Sequence, residues 1–282
     1  MVILSELPRE LQWDSDWKTA FNLFVLIFEN RADLDIRSAA REWFGGFDDE
    51  KKASVLVALL KANTKEDIML GMQTLSGLPK ELQQDKHWRW AVDTAEAIFE
   101  KGASEDIRQM VRDWIAGLEE TQKALFVESL LKAKKWKDVF FGMEILGGLE
   151  KTLQREKDWE RTARLAEHLF GYSGYDGDKR HMQTWISALQ EERRAMFIEP
   201  LLKAHDWSYR VAGMKILCGL HEEHQKDKHW ERVDKEIKGL TPERNEMLLD
   251  ELDGWNDALD IPLKKLYDKL YPKFIESVKN KT

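Results

Sequence analysis

The chain has a single cysteine, Cys218, so it forms no intramolecular disulfide, and a reducing, cytoplasmic setting is the expectation. Proline and glycine are scarce, 6 and 16 in 282 residues, which leaves little turn punctuation and suits a string of helices. No stretch alternates apolar and polar residues as a half-buried strand would. The apolar run that contains Phe24 to Phe28 falls far short of a membrane span, as does every other. The opening MVILSELPRE has neither the basic start nor the apolar length of a signal peptide. Positive charge is not in excess: the formal net charge is −8, with acids and bases interleaved. Binding nucleic acid requires a basic face for phosphates. The one local cluster, Lys134, Lys135 and Lys137 beside Trp136, reads as a solvated helix end. A phosphate-binding glycine loop, a nucleophile elbow and a zinc-protease motif are all missing. No catalytic or cofactor-binding residue is therefore assigned, and the chain does not read as an enzyme.

What the sequence does contain is repetition. LPRELQWDSDW begins at Leu7, LPKELQQDKHW at Leu78, LEKTLQREKDW at Leu149 and LHEEHQKDKHW at Leu220, each 71 residues after the last. The same step links Trp17, Trp88, Trp159 and Trp230, and also Trp43, Trp114 and Trp185. It links the tetrapeptide LLKA at Leu59, Leu130 and Leu201, and the pair Gly-Met at Gly71, Gly142 and Gly213. Repeat units therefore run over 7–77, 78–148 and 149–219, followed by a divergent capping unit, 220–282, in one elongated domain spanning 1–282.

Within a unit the apolar period is helical. Trp17, Phe21, Phe24 and Phe28 are spaced by four, three and four, which is one helix face. A second helix ends near Trp43 or its counterparts, and a third runs through LLKA behind an acidic start that suits the helix dipole. A fourth carries Gly-Met and closes on Gly77, Gly148 or Gly219, each expected as a glycine just past the helix end. A short fifth piece leads onward, with Pro8 and Pro79 in its first turn. Four to five short helices amount to two helical hairpins, which bury both faces only by stacking on neighbours. Architecture of this kind resembles the HEAT and armadillo class of α-solenoids over nearly the whole chain. The resemblance implies an all-α, right-handed superhelical solenoid of helical hairpins that binds a protein or peptide in a groove. Helical-repeat DNA glycosylases of the DNA-alkylation-repeat type share the general architecture, and nucleic-acid binding is the alternative they imply.

The ends of the array depart from its rule. After Trp230 the first helix of the last unit is expected to shorten to about residues 233–240, and the tail with Trp255 and Pro272 reads as a polar cap. At the other end, Met1 aligns with Met72, so the array is expected to open on an apolar face covered by a partner or by upstream residues.

Residues that repeat in register read as scaffold, since a catalytic residue would not recur in every unit. Nine of the twelve tryptophans fall in this class, as packing worth about 2–3 kcal/mol each. Trp13, Trp90 and Trp255 stand out of register. His221, His224 and His229 with Glu222 and Glu223 form the most metal-like cluster, although His229 repeats His87. The loop GYSGYDGD, from Gly171, is a flexible contact candidate through Tyr172 and Tyr175, and lacks the ligands of a calcium loop. Cys218 takes the slot of Ser76 and Gly147, as a small packing residue with no histidine to activate it. Pro200 stands where Ala58 and Ser129 stand and is expected to bend the third helix. If the fourth helices line the groove, positions that vary between units form its surface: Phe140, Glu144, Tyr209, Arg210 and Lys215.

Overall fold

A computed structural model describes residues 14–29, 32–62 and 64–239, and every regular element among them is helical. Trp13, Trp255, Pro8, Pro272 and the capping region from residue 240 lie outside the described residues. In chain order the helices are α1 (Asp14–Glu29), α2 (Leu34–Gly45), α3 (Asp49–Leu60) and α4 (Lys65–Gly77). Next come α5 (Asp85–Lys101), α6 (Glu105–Ala116), α7 (Glu120–Leu131) and α8 (Trp136–Gly148). Then follow α9 (Glu156–Gly171), α10 (Asp176–Ala188), α11 (Glu191–Arg194), α12 (Ile198–Leu202), α13 (Trp207–Cys218) and α14 (Asp227–Lys238). Helix starts recur with the sequence period: α1, α5, α9 and α14 begin at 14, 85, 156 and 227. The expected fifth piece is a single 3-10 turn at Lys80–Leu82, Lys151–Leu153 and Glu222–His224. Pro79 precedes that turn as its cap rather than lying inside it. The first helix of the last unit is not shortened to 233–240. It starts at Asp227, in register with its counterparts.

The chain divides into two compact bodies, Met1–Gln154 and Arg155–Thr282. In the N-terminal body α3 packs along α4 and α7 along α8, while α1 lies on α3 and α5 on α7. The two double hairpins join where α3 meets α5 and α4 meets α6. In the C-terminal body α9 and α13 both pack on α12.

Sequence motifs explain these pairings. A Cβ added at Gly71, Gly142 or Gly213 would lie 3.0, 2.7 or 2.9 Å from the Cβ of Leu59, Leu130 or Leu201, the first leucine of LLKA. Gly-Met and LLKA are thus two sides of one close helix crossing, where any side chain would hold the backbones apart. The expected helix-end role of Gly77, Gly148 and Gly219 does not hold as a left-handed cap. Gly77 and Gly148 end their helices with extended leucines as caps, and Gly219 keeps right-handed geometry at φ −82°. Positive φ occurs instead at Gly102 and Gly174.

The register tryptophans form a repeated pair: Trp17 on Trp43, Trp88 on Trp114 and Trp159 on Trp185 stack with centroids 6.1, 6.2 and 5.9 Å apart. An edge-on phenylalanine closes each pair. In the second and third repeats it is Phe126 and Phe197, 5.4 and 5.5 Å from the second indole. The first repeat has Val55 at that position, and Phe47 approaches Trp43 to 4.6 Å instead.

Helix starts follow the acidic residues. The Asp48 carboxylate accepts from the Lys51 N–H at 2.9 Å, and Glu119 and Gln122 form a capping box. Pro200 has the expected effect in stronger form. The third helix of its repeat splits into α11, a 3-10 turn at Ala195–Phe197 and α12, because proline lacks the N–H and its ring crowds the preceding turn.

Candidate functional site

The contact candidates separate by burial. Phe140 on α8 is only 7% exposed, with its ring 5.7 Å from Trp136. Tyr209 on α13 is equally buried, its ring 5.0 Å from Phe170. Both belong to the interior, because a position that varies between repeats can vary by repacking as well as by facing solvent. Arg210 is half-buried and engaged, donating through Nε to the Ala204 carbonyl at 2.6 Å and through Nη1 to Glu236 at 2.7 Å. Glu144 and Lys215 are exposed on α8 and α13.

Tyr172 and Tyr175 are the aromatic candidates at the surface, 56% and 62% exposed, in the loop between α9 and α10. The Tyr172 ring rests 4.7 Å from His168. Tyr175 caps α10 in left-handed geometry, φ 58°, and it is the one non-glycine residue with positive φ among the described residues. The Tyr175 carbonyl accepts from the Lys179 N–H at 2.9 Å, which holds the strained residue against α10. Beneath the loop, the fully buried Lys179 ammonium donates to Asp206 at 2.7 Å and sits 5.7 Å from the Tyr209 ring. Burial, then the carboxylates of Asp176 and Asp206, raise the Tyr209 pKa above its ordinary value, so it stays a hydroxyl at neutral pH.

A recurring buried charge set went unread in the sequence. On α2 and α4, Arg37 and Arg41 donate to the fully buried Asp67 at 2.6 and 2.8 Å. On α6 and α8, Arg108 and Arg112 do the same to Asp138, with Arg108 at 2.9 Å. Glu105 closes the second set at its rim, and hydrogen bonds from Lys137 and Arg112 lower its pKa to about 2. Sequence register held the signal: Arg-Arg-Asp at 37, 41 and 67 recurs at 108, 112 and 138. The third repeat changes to Lys179, Gln183 and Tyr209, so the exposed tyrosine loop lies where the repeated ion set gives way.

The histidine cluster does not converge. His221 is an exposed cap residue, its Nε2 3.6 Å from Glu191, and its backbone N–H donates to the same carboxylate. His224 lies 3.6 Å from Glu223. His229 is buried, and burial lowers its pKa. A cap, a 3-10 turn and an extended Gln225 separate the three, so they never share an α-helical face. Among the described residues no three His, Cys, Asp or Glu side chains gather as a metal site would require. Cys218 is buried beside Leu217, Leu220 and Val233. Trp90, out of register, is half-buried with the Lys61 ammonium 3.9 Å above its ring. No described helix is long and apolar enough to cross a membrane.

On α1 and α2, Leu23, Leu26, Leu34 and Ile36 are 45%, 55%, 73% and 48% exposed. Their counterparts one repeat later differ. Ile107 is 9% exposed, Thr94 donates to the Leu60 carbonyl at 2.9 Å, and Glu105 joins the ion set. No family model, curated protein or solved structure matches the chain.

Proposed function

We propose that the chain is a non-catalytic scaffold, an α-solenoid of stacked hairpins that binds a protein or peptide partner. The observation that carries this reading is the exposure of four large aliphatic side chains on α1 and α2, Leu23, Leu26, Leu34 and Ile36. Large aliphatic side chains held at the surface favour an interaction role, and the counterpart of Ile36 in the following repeat, Ile107, is buried. Tyr172 and Tyr175 offer a second contact, amphipathic rings held by a strained loop. Support for the solenoid comes from the stacking of two double hairpins inside the N-terminal body and from the 71-residue period shared by most helix starts.

The test is capture of partners by the full chain, compared with a Leu26→Lys/Leu34→Lys variant and a Tyr172→Ala/Tyr175→Ala variant. A protein held by the parent and lost by the first variant supports these aliphatic side chains as the contact. Loss in the second alone moves the contact to the tyrosine loop. Capture of nothing by the parent removes the reading.

A further inference from the structure

Replacing the closing phenylalanine by Val55 has a consequence beyond packing. In the first repeat a cavity of about 450 Å³ opens beside the stacked Trp17 and Trp43, with Phe21, Phe47 and Val55 among its walls. That size lies in the range of small-molecule sites, and the walls are aromatic as such sites usually are. Its charged groups are of one sign among the described residues. Lys18, Lys51 and Lys86 line it together with the Ser54 hydroxyl, and none of the described lining residues is a carboxylate. Lys51 stands 4.1 Å over the Trp17 ring and pairs with Asp48 at 3.2 Å, outside the lining. The buried indole Nε1 of Trp43 meets no acceptor among the described residues, whereas its counterpart in Trp114 donates to Ser76 at 3.2 Å.

We propose that this cavity is a binding site for a small aromatic carboxylate. The stacked Trp17 and Trp43 indoles and Phe21 give the cavity an aromatic wall against which a ring packs. The lysines supply charge complementarity for one anionic group, which an uncharged ligand would leave unused. Phe126 and Phe197, fully buried, fill the position that Val55 leaves open in the first repeat, where Phe47 closes the indole pair from another side.

The test is isothermal titration of the full chain with 2-naphthoate, alongside its uncharged methyl ester. Expected is saturable binding of the acid that weakens with salt, with the ester weaker by roughly tenfold, the scale of two partly solvated ion pairs. Val55→Phe, which installs the residue of the other repeats, is expected to abolish binding. The surface pair Lys18→Met/Lys86→Met provides an arm independent of the folding of that variant, expected to weaken the acid roughly tenfold and leave the ester unchanged. Absence of saturable binding by the parent, equal affinity for acid and ester, or binding untouched in either folded variant overturns the proposal.

Discussion

Replacing Asp138 with alanine probes the buried charge sets most directly. The carboxylate is fully buried and accepts from Nη1 of both Arg108 and Arg112, whose side chains are 7% and 4% exposed. Truncation leaves two guanidinium groups inside the N-terminal body with only Glu105, at the rim, as a carboxylate partner. Stranding a buried charge in this way costs about 3–5 kcal/mol, and the residual Glu105 contacts put the expected loss at the lower end. Urea unfolding followed by far-UV circular dichroism reads this as a lower midpoint at unchanged slope. The cost comes from the orphaned cations and not from loss of the pair itself. A triple Arg108→Met/Arg112→Met/Asp138→Leu variant should therefore recover most of the stability lost by Asp138→Ala. Two results would refute the reasoning: a loss below about 1 kcal/mol for the single variant, typical of an exposed ion pair, or a triple variant less stable than the single.

Two glycines on α8 should respond oppositely to alanine. Gly142→Ala forces a Cβ to 2.7 Å from Leu130 and should destabilise by about 1–2 kcal/mol, while Gly148→Ala meets nothing within 4 Å and should stabilise by about 0.5–1 kcal/mol; equal signs in urea melts would disprove the close-crossing account. Acid should weaken the fold in two windows. His87 and His229 have pKa values lowered from 6.5 by burial, so the unfolded chain binds protons first and stability begins to fall below that pH. Glu105 and Glu199, the latter held down by Lys228 and Lys203, are lowered from 4.5 to about 2, so their contribution is complete above pH 4.5 and is lost as pH falls toward 2. Urea midpoints measured across this range should show both windows, and a His87→Asn/His229→Asn variant should flatten only the first. Pro200→Ala should rejoin α11 and α12 and raise the helical dichroism signal; an unchanged signal would show that something other than the missing N–H splits the helix.

The 71-residue step recurs in the starts of most helices, such as 14, 85, 156 and 227, because equivalent sequence folds to equivalent local backbone; the break before Ile198 and the unshortened helix at Asp227 were not read from it. It also singled out Trp17 and Trp43 with Trp88, Trp114, Trp159 and Trp185, which form three stacked pairs. What register does not encode is direction. Phe140 and Tyr209 differ between repeats and looked like surface, yet both are buried, because variation within a core is absorbed by neighbours such as Trp136 and Phe170. Gly71 and its counterparts looked like part of a helix signature, and only the distance to Leu59 reveals them as a crossing point. The Arg-Arg-Asp sets and the Val55 cavity depend on side chains far apart in sequence meeting across helices, as Arg37 and Asp67, 30 residues apart, do. A repeat pattern specifies which residues are equivalent. Which of them touch is decided only when the helices pack.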